Sequence, residues 1–249
     1  MARVAFADLL FSWPANGGAD VDLFHVAQGL QARGHAVRVF GVHTRGSTER
    51  GRFEAGALPF PATRLSFAPD SFTPERVGAE MAAAVDAFAP DVVFVTHGYA
   101  FKTALLRALA HHTTVARYYA HEHACLRDPW RFLAGAPCPL AFYRTPDFCR
   151  RCALEGEATR LRRGQPNSWL EEWTGARAYA PAYPAEAVAA MRTADRVVVS
   201  NHELADDLAP VHGQVRVVPG GVPQPETEAA PAREPGPLTI FAPGRMDDP

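Results

Sequence analysis

The stretch that decides the fold is residues 4–42, VAFADLLFSWPANGGADVDLFHVAQGLQARGHAVRVFGV. Residues 4–9 form a short apolar run that reads as a buried strand, and the loop FSWPANGG follows it. From Ala19 onward, Val21, Phe24, Ala27 and Leu30 recur at every third position and mark one apolar helix face. Gly34 stands just past that helix as its C-terminal stop, and residues 36–42 (AVRVFGV) alternate as the next strand. Strand, helix and strand in this order imply a parallel sheet crossed by a helix.

The rhythm repeats downstream. Residues 75–88 read as a helix with Pro90 just beyond, and DVVFVT (91–96) is the nearly continuous apolar strand that a sheet covered on both faces needs. A helix over 99–110 and a strand over 114–119 follow. Residues 120–183, rich in Cys, Arg, Pro and Trp, break the rhythm and read as an irregular insertion with little core. Within it, Trp169 and Trp173 are expected to pack along one helix face. Order returns with a helix over 185–192, a strand over 196–200, a helix over 202–209 and a strand over 215–218.

The predicted class is therefore α/β: a Rossmann-like, doubly wound parallel sheet over residues 1–222, carrying a Cys-rich insertion at 120–183. PQPETEAAPAREPGP (223–237) has the composition of an exposed linker. LTIFAPGRMDDP (238–249) reads as a fresh strand over 238–242, a turn at Pro243-Gly244 and then Arg245. It is expected to be the first strand of a second domain.

Composition limits what such a chain can do. Its 249 residues, 47% apolar, are enough to bury a real core. A net charge of −2 gives no pull toward nucleic acid or an anionic membrane. No apolar run approaches the ~20 residues of a transmembrane segment. The apolar N-terminus is interrupted by Asp8 and lacks a small-residue cleavage pattern, so a buried strand is expected rather than a secretory leader. A cytoplasmic protein with reduced thiols follows.

Candidate chemistry gathers where the strands end. Gly17 and Gly18 lie between the first strand and first helix, where backbone N–H groups at a helix N-terminus can face an anion and a phosphate or sugar can approach closely. The dinucleotide fingerprint G-x-G-x-x-G is missing, which argues against a nicotinamide cofactor. His97 follows one strand, and His121 with Glu122 follows another, so all fall at the same carboxyl edge. A histidine there can meet a sugar hydroxyl or a backbone carbonyl, and Glu122 can accept from hydroxyls or orient a neighbour. The remaining histidines, His111, His112 and His123 among them, read as surface or satisfied core residues.

All four cysteines, Cys125, Cys138, Cys149 and Cys152, fall in one short segment. Cys149-Arg-Arg-Cys152 is a C-x-x-C pair able to hold a tetrahedral metal, while Cys125 and Cys138 stand singly. Structural zinc is the leading reading. Unligated thiols come next, then a disulfide, and a redox C-x-x-C is last because no thioredoxin-like strand and helix surround it.

Taken in order, GGADVDLFHVAQGLQARGHAVRVF, PDVVFVTHGY, the His-Glu pair, ADRVVVSNHELADDL, VRVVPGGV and FAPGRMDDP resemble the N-terminal domain of family-4 glycosyltransferases. These enzymes have GT-B architecture, two facing Rossmann-like domains with the active site between them. HEHACLRDPW through CRRC is similar to a branch of that family with a cysteine-rich segment. The resemblance implies a retaining hexosyltransferase that uses a nucleotide-sugar donor, without a catalytic metal.

It further implies that the Gly17-Gly18 loop approaches donor phosphate or acceptor, that His121 contacts the transferred sugar as the catalytic residue, and that Arg245 neutralises the nucleotide diphosphate. The family usually has Asn where Gly220 stands, and its donor-binding lysine and E-x7-E motif have no counterpart here. The expectation is thus an acceptor-side half whose catalytic partner half lies further along the same gene or on another chain, with this chain alone weak or inactive. The alternative is a non-catalytic Rossmann-like module that binds a glycan, lipid or protein.

Overall fold

A computed structural model describes residues 1–45, 51–165 and 167–221. The chain opens with β1 (Arg3–Asp8), α1 (Gly18–Ala32), β2 (Ala36–Thr44) and β3 (Ala62–Phe67). It continues through α2 (Pro74–Phe88), β4 (Val92–Val95), α3 (Lys102–Ala108) and β5 (Thr114–Tyr118). A small hairpin of β6 (Phe132–Leu133) and β7 (Ala136–Pro137) leads into α4 (Pro146–Arg162) and α5 (Ser168–Gly175). The last elements are α6 (Tyr183–Met191), β8 (Arg196–Val199), α7 (His202–Leu208) and β9 (Val215–Val217).

Seven strands form one parallel sheet in the order β3-β2-β1-β4-β5-β8-β9. Alternation along the strands supplies two buried faces. Val4 and Phe6 of β1 join Val37 and Val39 of β2 and Leu23 and Ala27 of α1 on one side. Ala5 and Ala7 join Phe40, Val42, Val77, Met81 and Leu105 on the other. The chain leaves β1 toward β2 on one flank and β4 toward β5 on the other. The gap beyond the carboxyl ends of β1 and β4 is therefore the topological switch point, the usual ligand crevice of an open α/β sheet.

Helix starts follow local chemistry. Thr73, Asn167 and Asn201 each accept a backbone N–H of the helix they precede, and Pro74 opens α2. Gly34, with φ +84, sits just beyond α1 in the left-handed region that favours glycine.

Two departures from the sequence reading stand out. β3 was not expected: ATRLSF buries only Phe67 fully, and as a sheet-edge strand it carries no continuous apolar run. Residues 120–183 are also not an irregular segment without a core. They form the hairpin, α4 and α5, and Leu126, Phe142, Cys149, Ala153, Leu170 and both Trp169 and Trp173 join the core of the sheet. The linker 223–237, the strand over 238–242 and Arg245 lie outside the described residues.

Candidate functional site

Asp8, buried at the end of β1, ties the switch point together. Its carboxylate accepts from the N–H groups of Leu10 and Phe11 at 2.8 and 2.7 Å, and from Thr96 Oγ1 and the His97 N–H at 2.6 and 3.0 Å. The Leu9 N–H donates back to His97 O at 2.8 Å. His97 is thereby pinned over the crevice, its ring edge-on to Tyr99 and Tyr119 with centroids 5.0 and 5.7 Å away.

The Gly17-Gly18 loop reaches the same edge, and the Gly17 N–H is already engaged. Asp20, in the first turn of α1, accepts from Asn16, Gly17 and Ser12 N–H groups at 2.8, 3.2 and 3.2 Å. An acid at this position answers the positive end of the helix from within the protein. Burial, with the neighbouring Asp8, pushes its carboxyl up to about 6. Gly18 is exposed, and a Cβ built there meets nothing within 4 Å, so open space faces the loop.

One turn further, Asp22 pairs with Arg117 Nη2 at 2.7 Å and accepts from Tyr119 Oη at 3.1 Å, fastening α1 to the end of β5. A Cβ at Gly220 would sit 3.4 Å from Asp22 Oδ1, so the chain after β9 also passes over this corner.

His121 lies just past β5 and is half-buried. Its Nδ1 faces Asp207 Oδ2 of α7 at 3.6 Å, and its Nε2 lies 4.0 Å from the exposed Glu203 carboxylate. His123 Nε2 also faces Asp207 Oδ2 at 3.7 Å, and Arg131 grips the same oxygen in a very short ion pair. His123, helped by Arg131, holds the Asp207 carboxyl down at about 2 despite its partial burial. Burial, with His123 and Arg131 nearby, lowers His121 below the usual histidine value, which favours the neutral ring. At 3.6 Å the Asp207 carboxylate acts on His121 Nδ1 through charge rather than through a hydrogen bond.

Glu122 does not face the crevice. Its side chain is only 1% exposed and pairs with Lys102 Nζ at 3.0 Å, while its second oxygen accepts from the Ala120 N–H at 3.2 Å. Lys102 also donates to Arg117 O at 2.7 Å. Burial alone would raise the Glu122 carboxyl, but Lys102 beside it, with His97 and His123, holds it below the usual carboxylate range. Of the two roles expected for Glu122, contact with hydroxyls or orienting a neighbour, the buried geometry suits the second: the carboxylate anchors the turn that carries His121.

That turn is braced by the cysteine-bearing segment as well. The Cys125 N–H donates to His121 O at 2.8 Å, and the His121 N–H donates to Pro129 O at 3.0 Å. All four cysteines are free thiols here. Arg245 lies outside the described residues.

The structure thus brings Gly17, Gly18, His97 and His121 to one edge of the sheet. It adds Asp8, Asp20, Asp22, Arg117, Lys102, Arg131 and Asp207, none of which the sequence reading singled out for the site. Only Asp20 had a local signal, an acid three residues after a helix cap. Asp22 with Arg117, and Asp207 with Arg131, pair across long stretches of chain that leave no trace in spacing.

A family model described as Glycosyltransferase Family 4 matches residues 16–224. No curated protein matches at a significant level. Among solved structures, Phytolacca americana UGT2 complexed with UDP-2-fluoro-glucose and pterostilbene is similar at 12% identity, over 92% of this chain and 55% of that one, with a TM-score of 0.47. An E. coli structure described as trehalose-6-phosphate bound with UDP-2-fluoro-glucose is similar at 11% identity, over 84% of this chain and 43% of that one, with a TM-score of 0.42. The chain spans about half the length of these structures.

Proposed function

The chain belongs to glycosyltransferase family 4, and on that premise we propose that it is the acceptor-side half of a retaining glycosyltransferase that uses a nucleotide-sugar donor. In such a transfer the bond between sugar C1 and the nucleoside diphosphate breaks. The acceptor hydroxyl oxygen bonds to C1, and its proton leaves with the diphosphate. The observation that carries the reading is His121, a half-buried imidazole at the carboxyl edge with Asp207 Oδ2 3.6 Å from Nδ1 and the exposed Glu203 carboxylate 4.0 Å from Nε2. A neutral ring can hydrogen-bond sugar hydroxyls without setting a cation against a reaction centre that itself becomes positive.

The Gly17-Gly18 loop suits an acceptor better than a phosphate. Asp20 already takes the Asn16 and Gly17 N–H groups, and the space beside Gly18 is open. The donor diphosphate then requires cationic help from elsewhere, the part the resemblance gives to Arg245 on a second domain. No helix among the described residues is long and apolar enough to cross a membrane, and a reducing cytoplasmic setting fits four free thiols.

The test is titration of the chain with UDP-, GDP- and ADP-sugars, with nucleoside diphosphate release followed in parallel, for wild type and His121→Ala. Weak recognition of at least one nucleotide sugar is expected, reduced about tenfold in the variant, equivalent to ~1.4 kcal/mol. Recognition that does not depend on His121, or none at all, overturns the reading. Glycan or lipid binding without any donor response would identify a non-catalytic module instead.

A further inference from the structure

The four cysteines take no part in the proposed transfer, yet the fold assembles three kinds of backbone around them. Cys125 leaves the turn that carries His121, with its N–H on His121 O at 2.8 Å. Cys138 leaves the β6–β7 hairpin, with its N–H on Arg131 O at 2.8 Å. Cys149 and Cys152 lie three apart near the start of α4 and so share a face. The Phe142 N–H donates to Ala124 O at 2.9 Å, lashing the chain between Cys138 and α4 to the residue before Cys125.

Loop, hairpin and helix start are thus tied together around the thiols. Cys149 Sγ lies 3.5 Å from Thr145 Oγ1, and Cys152 Sγ lies 3.8 Å from Arg127 Nη1 of the segment that carries Cys125, so the start of α4 meets that loop at its thiols. Each of the four is buried or half-buried. Within α4 itself only Cys149, Ala153 and Glu157 are buried, so the helix start has little apolar packing of its own.

We propose that Cys125, Cys138, Cys149 and Cys152 bind one structural zinc ion as a tetrahedral four-sulfur site. Zinc–sulfur bonds of about 2.3 Å set the sulfurs roughly 3.8 Å apart. No three of these sulfurs lie within 4.8 Å of one another in the structure, so binding draws them inward.

The ion has a structural consequence at the transfer site. Arg131, whose carbonyl holds Cys138, reaches Asp207, and Tyr143 Oη donates to Asp207 O. Fixing the hairpin and α4 therefore fixes the group that orients His121.

Two other clusters compete for metal. His121, His123 and Asp207 lie close together, but the Arg131 guanidinium already neutralises Asp207. His111 and His112 both bond to Asp86 Oδ1, at 2.9 and 2.7 Å, on the exposed surface.

The test is metal content of untagged protein, followed by exchange with cobalt(II) chloride. Neither needs a sugar donor, so failure here and failure of the transfer reading are separate results. One zinc per chain is expected, with thiolate-to-cobalt charge transfer and intense visible bands from tetrahedral cobalt. Cys149→Ser should abolish both, while a His111→Ala/His112→Ala double variant should leave them intact. If Cys149→Ser does not fold, thiol labelling of the wild type decides: four thiols protected until a chelator is added support the site. Folded wild type that neither retains zinc nor takes it up from zinc chloride overturns the proposal, as does metal lost with the histidines.

Discussion

Lys102→Met separates two roles for Glu122, architecture or substrate contact. The side chains of Lys102 and Glu122 are 3% and 1% exposed and meet at 3.0 Å. At that separation Coulomb's law with an effective dielectric constant of about 20 gives roughly 5.5 kcal/mol of attraction. Methionine keeps most of the stem but leaves a buried carboxylate with the Ala120 N–H and without its lysine partner. Stranding one partner of a buried pair typically costs about 3–5 kcal/mol. At about 2–4 °C per kcal/mol for a domain of this size, the melting temperature should fall by roughly 10 °C.

The double variant Lys102→Met/Glu122→Gln removes the stranded charge, and the glutamine oxygen can still accept from Ala120. It should recover at least half the loss, giving a coupling energy of about 2 kcal/mol or more. Full recovery is not expected, because Lys102 also balances Asp8 and Glu172 and donates to Arg117 O. Urea unfolding followed by tryptophan fluorescence gives all four free energies of the cycle. Additive single losses, or a Lys102→Met loss under 1 kcal/mol, would refute the buried-pair account. Unchanged ligand recognition in the double variant would place Glu122 in the scaffold.

Three further outcomes follow from buried or half-buried carboxyls. Asp20, with its folded value near 6 against an ordinary 3.8, adds stability that is present below about pH 4 and is lost as pH rises through 6. Asp20→Asn keeps the acceptor and should flatten that loss by about 2–3 kcal/mol, read from urea midpoints at pH 4.5 and 7.5; parallel curves would count against it. Asp207 behaves oppositely: held near 2, it adds stability above about pH 4 that is lost as pH falls through 2. Discounted for its partial exposure, that contribution is about 1 kcal/mol. In Asp207→Asn the carboxylate that favours protonated His121 is gone, so the His121 NMR titration should move lower still, and an upward move would contradict the pairing. Glu157, buried in α4 with neither carboxyl oxygen hydrogen-bonded among the described residues, is pushed up to about 7. Its folded state loses stability as pH rises through 7, so Glu157→Met should stabilise by about 1–2 kcal/mol at pH 8 and less at pH 5. Equal effects at both pH values would point to packing instead.

The alternating apolar pattern of the strands and the three-residue spacing in α1 are enough to establish a parallel α/β sheet. In such a sheet every strand ends at the same edge, so chain order alone brings Gly17, His97 and His121 together. Order along the chain determines that edge because parallel strands share a direction. β3 leaves no such signal because an edge strand, paired on one side only, has no need of a continuous apolar run. Residues 120–183 hide their helices for a related reason: their apolar residues are too scattered to show a period, and they gain a core only by packing on the main one.

Partner choice belongs to the tertiary structure alone. That Asp20 faces inward to its own loop, that Glu122 turns to Lys102, and that Asp207 rather than Glu122 stands behind His121 are outcomes of which helix packs on which strand end. Periodicity reports which face of an element is buried. It does not report what lies opposite, and the charge state of a buried group is set by what lies opposite.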